Sequence, residues 1–351
     1  MNIENLKNKA LKNERLSVEE IFFLIQQLRN KNKQEIYKAA DEVREKFMGN
    51  LIYLRGIIEF SNYCRKSCDY CGINSKVKDV KRYRIDEDEI LKACHELKRN
   101  GQTTVVLQSG EDLFWTKEKM GSLIERIKKE TDLAITISVG EREEDVYLYW
   151  KQCGMDRYLI RFETSNKEVF EKIHPDDNYE ERIECIKTLK RIGVQTGSGF
   201  MIGLPFTDDW DIARDIDFCR ELDLDMIGIG PFIANPLTPL KDNGVKHDID
   251  FITGIISILR LANPMAHIPA TTAFDVVLDH EGRQLALKRG ANVFMPNSTP
   301  QKYRIDYQLY PDKPCVDESA GDCANCVVGR ILSIGREIGK GPGHSIKTIN
   351  N

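Results

Sequence analysis

Three cysteines that lie close together in the sequence are the residues best suited to chemistry. Cys64, Cys68 and Cys71 follow one another with the spacing C-x3-C-x2-C. With ten cysteines in 351 residues, this spacing arises by chance with a probability of roughly 0.01, so coincidence explains it poorly. In a reducing compartment, clustered thiols bind metals more often than they form disulfides. The spacing therefore predicts a metal site on this segment.

Structural zinc is the simpler interpretation, but it normally requires four protein ligands. No fourth cysteine or histidine lies near the trio, since His95 is 24 residues beyond Cys71. Three thiolates on one loop instead suit three irons of a four-iron, four-sulfur (4Fe-4S) cluster. The fourth iron would then be free to bind a substrate or cofactor.

Short β-rich runs alternate with amphipathic helical stretches along most of the chain. Eight such runs begin at residues 53, 103, 133, 157, 194, 225, 266 and 291. The stretches between them are long enough to cross back over a sheet, which calls for parallel pairing. We therefore predict an α/β fold, a TIM-type (βα)8 barrel. The cysteine segment follows the first strand, at the barrel end where active sites are built.

The two ends of the chain depart from this alternation. Residues 1–50 show helical spacing of apolar side chains and no β-rich run, which predicts an N-terminal helical extension. Residues 51–300 correspond to the predicted barrel. Residues 301–351 follow the last strand, and we expect this C-terminal segment to cap or flank one barrel mouth.

Composition limits the classes of partner. The chain has 51 basic and 55 acidic side chains, a net charge of −4, and no long basic block, so nucleic acid is a poor candidate. No run of about 18 apolar residues predicts a membrane span, and the charged N-terminus lacks the apolar stretch of a signal peptide. We therefore expect a cytoplasmic protein with neither a membrane nor a nucleic-acid partner.

The cysteine spacing, with the aromatic Tyr70 just before the last cysteine, resembles the signature of the radical S-adenosylmethionine (radical SAM) superfamily. Its members build this signature after the first strand of a full or partial (βα) barrel. The resemblance implies that Cys64, Cys68 and Cys71 hold a 4Fe-4S cluster whose unique iron is chelated by SAM. It also implies that the reduced cluster cleaves SAM to a 5′-deoxyadenosyl radical, which the protein positions and shields.

Polar residues after the predicted strands match the positions where the superfamily binds SAM. The turn at residues 108–112 corresponds to the glycine-rich motif that receives the methionine ammonium, although Ser109 replaces its first glycine. Glu163 is placed to accept hydrogen bonds from the ribose, and Arg182 to pair with the methionine carboxylate. The residues implied in cofactor binding are Tyr70, Gln108, Ser109, Gly110, Glu111, Thr136, Glu163, Arg182, Met201 and Ile229. The alternative is an ordinary surface turn, surface charges and strand glycines that only relieve crowding.

Several longer segments narrow the resemblance to one family. IIEFSNYCRKSCDYCGI, VVLQSGED, RYLIRFET, DMIGIGPFIANPLTPL and ANVFMPN are similar to the HydE family of FeFe-hydrogenase maturases. The family implies anaerobic radical chemistry on a small molecule or metal complex during assembly of the diiron part of the hydrogenase active site. It also implies two partners, the second radical SAM maturase HydG and the scaffold GTPase HydF.

The same resemblance assigns a substrate pocket. Its residues are implied to be Gln108, Ser109, Thr136, Arg161, Thr271, Thr272 and Tyr307. Arg161, Thr271, Thr272 and Tyr307 are the ones assigned to catalysis. Arg161 and the two adjacent threonines suit an anionic ligand, and an ion pair between Arg161 and Glu163 is the alternative.

A second cysteine group lies in the C-terminal segment. Cys315, Cys323 and Cys326 form C-x7-C-x2-C, which predicts a second iron–sulfur cluster or another metal site. The resemblance agrees, because members of the family often carry such a trio while others lack one or more of its cysteines. We therefore expect this trio to be dispensable for SAM cleavage.

Two further sets of residues receive mainly structural interpretations. We expect a solvated face for the basic cluster Lys76, Lys78, Lys81, Arg82 and Arg84. Its alternative role is a docking surface for an acidic electron donor, a flavodoxin or ferredoxin. We expect His174 and His280 to have surface or capping roles.

Three other functions are alternatives. 3-Methylornithine synthase shares the barrel, the cysteine loop and a GED-containing second strand, but as a family it lacks the C-terminal trio in this form. Biotin synthase is more distant, because its YNHNLD-like stretch is missing and strand four reads RFETSN. A non-catalytic iron–sulfur scaffold would not need Glu163, Arg182 or the turn at residues 108–112. Cleavage of SAM by the reduced protein distinguishes the enzymes from the scaffold.

Overall fold

The computed structural model describes residues 1–30, 32–244, 248–278, 281–318 and 320–347. His280, for which a surface or capping role is predicted, lies outside these residues. Of the helices that the structure describes, none is long and apolar enough to cross a membrane.

The helices begin and end close to where the sequence pattern places them, and polar side chains cap many of their first turns. Ser17 and Glu20 form a capping box at the start of the second helix, and Thr116 accepts a hydrogen bond from the backbone N–H of Lys119 at the start of the fifth. The helices are α1 (Ile3–Leu11), α2 (Val18–Arg29), α3 (Lys33–Met48), α4 (Glu87–Arg99), α5 (Lys117–Thr131), α6 (Glu144–Gln152), α7 (Lys167–Ile173), α8 (Tyr179–Arg191), α9 (Asp209–Glu221), α10 (Ile249–Ala262), α11 (Thr272–Val277), α12 (Gly282–Lys288), α13 (Gln301–Arg304) and α14 (Ala320–Leu332).

The strands are short and parallel, and they carry buried apolar side chains. They are β1 (Leu51–Leu54), β2 (Gly56–Ser61), β3 (Thr104–Ser109), β4 (Ala134–Ser138), β5 (Arg157–Leu159), β6 (Gln195–Ser198), β7 (Met201–Ile202), β8 (Met226–Ile227), β9 (Gly230–Pro231), β10 (Pro269–Ala270), β11 (Val293–Phe294) and β12 (Glu337–Ile338).

Strand pairing closes a barrel. β2, β3, β4, β5, β6 and β8 pair in that order, and β10, β11 and β1 pair in a second sheet. The two sheets are joined at both edges. At one junction, Met226 of β8 bridges His267, just before β10. At the other junction, the N–H of Ile57 in β2 donates to the carbonyl of Pro296, just after β11 (2.9 Å). The predicted (βα)8 barrel is therefore confirmed.

The first predicted strand is divided in two at Arg55. β1 pairs with β11 and β12, whereas β2 pairs with β3. Strands of a closed barrel are staggered, so the two halves of one long strand meet different neighbours. The sequence pattern predicts the positions of the eight strands along the chain, but not how far neighbouring strands are displaced along one another in the barrel.

Helices α1–α3 form a layer outside the barrel, as the apolar spacing in residues 1–50 predicts. Leu24, Leu28 and Ile36 are fully buried, and α10 packs against both α2 and α3. Gly254 of α10 permits this packing, since a Cβ atom there would lie 2.5 Å from a methyl group of Leu28. The domain boundaries at residues 50 and 300 stay predictions.

The C-terminal segment reaches both ends of the barrel, rather than the single mouth we expected. Residues 309–315 border a cavity at the carboxyl ends of the strands. Residues 341–344 cover the opposite end, where Thr103 and Arg157 donate to the carbonyls of Gly341 (2.7 Å) and Pro342 (2.8 Å). Helix α14 and strand β12 connect the two regions.

Candidate active site

The cysteine loop, residues 61–77, follows β2 and is held in shape by side-chain hydrogen bonds. The side-chain amide of Asn74 donates to the carbonyls of Cys68 (3.0 Å) and Cys71 (2.9 Å). The guanidinium of Arg82 donates to four carbonyls, those of Asn62, Ile73, Asn74 and Val77. The predicted solvated face is therefore wrong for Arg82, because its fork of N–H donors fixes this loop.

The three thiols of the loop fit a four-iron cluster better than a zinc ion. A tetrahedral zinc ion bonds each sulfur at about 2.3 Å and so brings the sulfurs within about 4 Å of one another. Among the described residues, the group of ligand atoms that all lie within 4.8 Å of one another is elsewhere in the chain. The sulfurs of Cys64, Cys68 and Cys71 therefore do not all lie within 4.8 Å of one another, which a cubane allows, since each sulfur binds a different iron.

Burial also shapes the chemistry of these thiols. It raises the pKa of the Cys71 thiol to about 12 and raises the pKa of the Cys64 and Cys68 thiols as well. Buried thiols without a nearby cation stay protonated, whereas a bound metal supplies the positive charge that keeps them as thiolates. The donor set therefore suits metal binding rather than a free nucleophile.

A second loop, at residues 109–112, packs directly on the cysteine loop. A Cβ atom at Gly110 would lie 2.3 Å from the carbonyl oxygen of Tyr63 and 2.7 Å from Cβ of Cys64, so only glycine allows this approach. The next N–H, of Glu111, donates to Sγ of Cys64 (3.3 Å). The carboxylate of Glu111 accepts from Arg65 (2.5 Å), and Ser109 donates to the carbonyl of its neighbour Gly110 (2.6 Å). Binding of the methionine ammonium at this turn stays a prediction.

A cavity of about 250 Å³ opens beside the cysteine loop, at the carboxyl ends of the strands. Its surface is largely apolar, with a few charged groups. The cavity brings together many of the predicted site residues: Tyr70, Cys71, Gln108, Arg161, Glu163, Met201, Thr271, Thr272, Cys315 and Cys323. Because (βα)8 barrels carry their active sites at this end, the cavity is the candidate active site.

Glu163 meets the cavity in an unusual backbone conformation. Its φ is 64°, a left-handed value that costs a non-glycine residue about 1–2 kcal/mol. Backbone hydrogen bonds hold it there, from Glu163 to Gly199 (3.0 Å) and from Met201 to Glu163 (3.1 Å). Nη2 of Arg161 lies 3.0 Å from Oε2 of Glu163, but without hydrogen-bond geometry, since this buried oxygen has no hydrogen-bond partner. The ion pair raised as the alternative is present, and the carboxylate keeps an acceptor for a ligand.

Arg182 is buried and does not line the cavity. Its Nε donates to Glu141 (2.6 Å), its Nη1 donates to the carbonyl of Arg161 (2.9 Å), and its Nη2 pairs with Asp177. Burial opposes its charge, but the two carboxylates outweigh burial and raise the pKa of Arg182. The contact of Arg182 with the methionine carboxylate stays a prediction. That contact would use the guanidinium N–H groups that do not take part in these three hydrogen bonds.

Several residues that line the cavity carry groups suited to an anion. Nε of Arg161 is buried without a hydrogen-bond partner. Arg283, which sequence reasoning missed, donates to Oγ1 of Thr272 (3.1 Å), while Thr271 donates to the carbonyl of Ile229 (2.8 Å). Burial lowers the pKa of Arg283, so an anion nearby would relieve its poor solvation.

Glu59 and Lys313 form a second charged feature that sequence reasoning missed. Both side chains are buried, both line the cavity, and the ammonium of Lys313 bonds Oε1 of Glu59. Glu59 is opposite Gln108 in the β2–β3 register, and its Oε2 has no hydrogen-bond partner. A charged residue inside the apolar run IIEFS is the sequence signal by which Glu59 could have been found.

His174 caps the C-terminal end of α7, so its predicted capping role is confirmed, but the predicted surface position is wrong, because the residue is buried beside the site. The ring is buried, Nδ1 bonds the carbonyl of Phe170 (3.0 Å), and Nε2 bonds the hydroxyl of Tyr70 (3.0 Å). Burial lowers the pKa of His174 to about 3, so the ring is neutral. It accepts from Tyr70, whose hydroxyl the imidazole thereby fixes beside Cys71.

Comparison with known proteins agrees with this geometry. The model of the radical SAM superfamily matches residues 58–219. The [FeFe] hydrogenase maturase subunit HydE of Thermotoga maritima is 43% identical over 307 residues, which cover 88% of this chain and 87% of that protein. The chain belongs to the HydE family of radical SAM enzymes.

Solved structures support the fold. A crystal structure of methylornithine synthase (PylB) has a TM-score of 0.83 and 26% identity, covering 95% of this chain and 97% of its own. The maturase HydG from Carboxydothermus hydrogenoformans has a TM-score of 0.77 and 20% identity, covering 95% of this chain and 78% of its own. HydE-family membership thus implies a 4Fe-4S cluster on Cys64, Cys68 and Cys71 with SAM bound to it.

Three pocket residues implied by the HydE resemblance, Ser109, Thr136 and Tyr307, and Ile229 of the implied SAM site lie apart from the cavity surface. Thr136 lines a separate, much smaller cavity near the amino ends of the strands, beside Arg157. Ile229 is buried, and its carbonyl accepts a hydrogen bond from Thr271, which lines the cavity. Tyr307 is buried, and its hydroxyl accepts from Gln108 (3.3 Å). The hydroxyl of Ser109 donates to the carbonyl of Gly110 in the same turn. Their roles in ligand binding stay predictions.

The second HydE-type cysteine group is only partly assembled. Sγ of Cys315, Sγ of Cys323 and a carboxylate oxygen of Glu318 lie within 4.8 Å of one another. Cys315 hydrogen-bonds Cys323 and so lowers the pKa of the latter. Cys326 is exposed on α14. Its role as a third ligand stays a prediction.

Proposed function

We propose that this chain acts as an FeFe-hydrogenase maturase of the HydE type, using radical chemistry on a small molecule or metal complex to build the diiron part of the hydrogenase active site. The observation that carries the proposal is one cavity lined by Cys71 of the cysteine loop and also by Arg161, Arg283 and the adjacent threonines, which suit an anion. The 43% identity to the HydE of Thermotoga maritima supports the same assignment.

Residues of the cysteine loop would hold the cofactors. When bound, a 4Fe-4S cluster and SAM supply one-electron reductive cleavage to a 5′-deoxyadenosyl radical. Cys64, Cys68 and Cys71 would ligate three irons, and Oε2 of Glu163 would accept hydrogen bonds from the ribose. Tyr70, fixed by His174, forms the adjoining wall. The largely apolar lining excludes water from the space between these groups.

The substrate would lie against the arginines and threonines that line the cavity. Arg161, which is paired with Glu163, and Arg283 present guanidinium groups there, and Thr272 accepts from Arg283. These donors suit an anionic substrate such as a carboxylate or an anionic metal complex. Gln108, held by the hydroxyl of Tyr307, faces the same space. These side chains would bind and orient the substrate, so that one of its atoms faces the bound SAM.

We infer further that the chain works in the cytoplasm beside HydG and HydF and receives its electron from a ferredoxin or flavodoxin. HydE-family membership supports the maturase partners. The second cysteine group would hold an accessory iron–sulfur cluster in this scheme, near the cavity edge where Cys315 and Cys323 lie.

3-Methylornithine synthase is the second candidate, favoured by the high structural similarity to that enzyme. A lysine mutase needs a site for an ammonium and a carboxylate on a flexible chain, and the 43% identity to HydE favours the maturase over this enzyme. We expect that lysine neither increases 5′-deoxyadenosine formation nor becomes 3-methylornithine.

Complementation tests the proposal. The gene is expressed in a cell that lacks its own HydE but retains HydG, HydF and an FeFe hydrogenase, and hydrogen evolution is measured. We expect hydrogenase activity to return, and the Cys71→Ser variant serves as the negative control. Failure to complement, together with 3-methylornithine detected by mass spectrometry, assigns the chain to the second candidate.

A further inference from the structure

An exposed apolar surface lies on the outer side of the cysteine loop, away from the cavity. Tyr63, Leu113 and Phe114 are 37%, 59% and 45% exposed, and we call them the Tyr63–Phe114 patch. None of the three lines the cavity. Clustered large apolar side chains on a surface mark an interaction site more often than single ones do.

Cations hold the patch in place. The guanidinium of Arg84 lies 3.8 Å from the ring centre of Tyr63 and 4.7 Å from that of Phe114, and it pairs with Asp112 (2.7 Å). The ammonium of Lys119 lies 3.5 Å from the ring centre of Phe114. Stacking of cations on aromatic faces fixes both rings.

The patch is one residue away from a cluster ligand. Tyr63 directly precedes Cys64, and Leu113 follows the loop whose Glu111 N–H bonds Sγ of Cys64 (3.3 Å). The cavity is bordered by Cys71 instead. The two sides of the cysteine loop thus differ: one faces the substrate cavity and the other faces solvent through this patch.

Charge indicates the class of partner. Lys119 and Arg84 lie against the aromatic rings. Arg84 is neutralised by Asp112 and Lys81 by Asp306, whereas Lys119 takes part in none of the ion pairs between described residues, so its ammonium supplies the positive charge beside the rings. A cation beside an exposed aromatic patch attracts an acidic protein and raises its rate of association.

We propose that the Tyr63–Phe114 patch is the docking surface for an acidic one-electron donor protein of the ferredoxin or flavodoxin class. The inference rests on the proposed function, which requires an external electron. The donor loses one electron and the protein-bound cluster gains it, with no proton or leaving group transferred. Redox encounters use small interfaces, below about 1,200 Å², which a patch of this kind can provide.

Binding of the donor to this protein is the direct test. Lys119→Glu and Phe114→Ser are compared with wild type for affinity toward a purified ferredoxin, by calorimetry at low ionic strength. Lys129→Glu is the matched control, since it makes the same charge change on the same helix, α5, about 15 Å further along. We expect both patch variants to raise Kd about tenfold or more, and Lys129→Glu to leave Kd unchanged. The Lys119→Glu effect should shrink as salt screens the charge.

SAM cleavage driven by dithionite, which needs no docking, separates the possible failures. We expect the patch variants to retain it while losing cleavage driven by reduced ferredoxin. Unchanged ferredoxin affinity, loss of dithionite-driven cleavage as well, or a selective loss of HydF binding would each overturn the docking proposal. Absence of dithionite-driven cleavage in the wild type would instead contradict the proposed function.

Discussion

At the scale of single residues, three buried polar atoms without a hydrogen-bond partner belong to residues that line the cavity. Oε2 of Glu59, Oε2 of Glu163 and Nε of Arg161 are buried and have no hydrogen-bond partner. A buried polar atom without a partner costs about 1–3 kcal/mol. Their placement on one cavity means that a bound ligand recovers part of that cost.

Glu163 provides the residue-scale prediction. Replacing Glu163 by Ala removes a buried carboxylate acceptor, so SAM binding should weaken by about 2 kcal/mol, or roughly 30-fold in Kd. Calorimetric titration with SAM measures the change. Glu168→Ala, at an exposed glutamate on α7, is the control. An unchanged Kd for Glu163→Ala would mean that this carboxylate serves only to pair with Arg161.

Some site residues are visible in the sequence and others are not. The spacing of Cys64, Cys68 and Cys71 identifies the loop because all three ligands are local. Glu59 and Lys313 are 254 residues apart, so no local pattern connects them. The polar sequence KIHPD favours a surface position for His174, whereas in the structure its ring lies inside and hydrogen-bonds the hydroxyl of Tyr70.

At the scale of elements, the alternation of strands and helices fixes the barrel and the end at which its site lies. The seven helical stretches predicted between strands correspond to helices of the structure, because each has an apolar face of helical period. The division of the first strand at Arg55 depends on the stagger of the closed barrel, which local propensity does not encode.

The second cysteine group belongs to this scale, because it lies in the segment that precedes and begins α14. Replacing Cys315, Cys323 and Cys326 together by Ser should lower the iron content but leave SAM cleavage at a comparable rate, since the loop of Cys64, Cys68 and Cys71 makes its own hydrogen bonds. Iron analysis and 5′-deoxyadenosine formation are measured on the same sample. Loss of cleavage with the first cluster spectroscopically intact would refute the accessory role.

At the scale of the whole molecule, one C-terminal segment joins the two ends of the barrel. Arg55 and Arg157 are buried near the amino ends of the strands, and they donate to the carbonyls of Gly343 (2.9 Å) and Pro342 (2.8 Å). Burial lowers the pKa of both guanidiniums. The segment therefore supplies acceptors that these poorly solvated cations need.

Removing residues 341–351 tests this role. The deletion takes away two acceptors from buried guanidiniums, each worth about 1.5–3 kcal/mol, so stability should fall by at least about 3 kcal/mol. Thermal unfolding followed by circular dichroism should show a Tm several degrees lower. The single substitution Thr103→Val, which removes one hydrogen bond to Gly341, should have a smaller effect. A deletion variant that melts with the full-length chain would contradict this account.

The central claim is that the loop of Cys64, Cys68 and Cys71 makes this chain a SAM-cleaving enzyme. The most direct measurement is 5′-deoxyadenosine formation by the anaerobically reconstituted protein with dithionite and SAM. We predict that the wild type forms it, that Cys64→Ser, Cys68→Ser and Cys71→Ser each abolish it, and that Cys94→Ser, at a buried cysteine on α4, retains it. Cleavage retained in any of the first three variants, or absent from the reconstituted wild type, would contradict the claim.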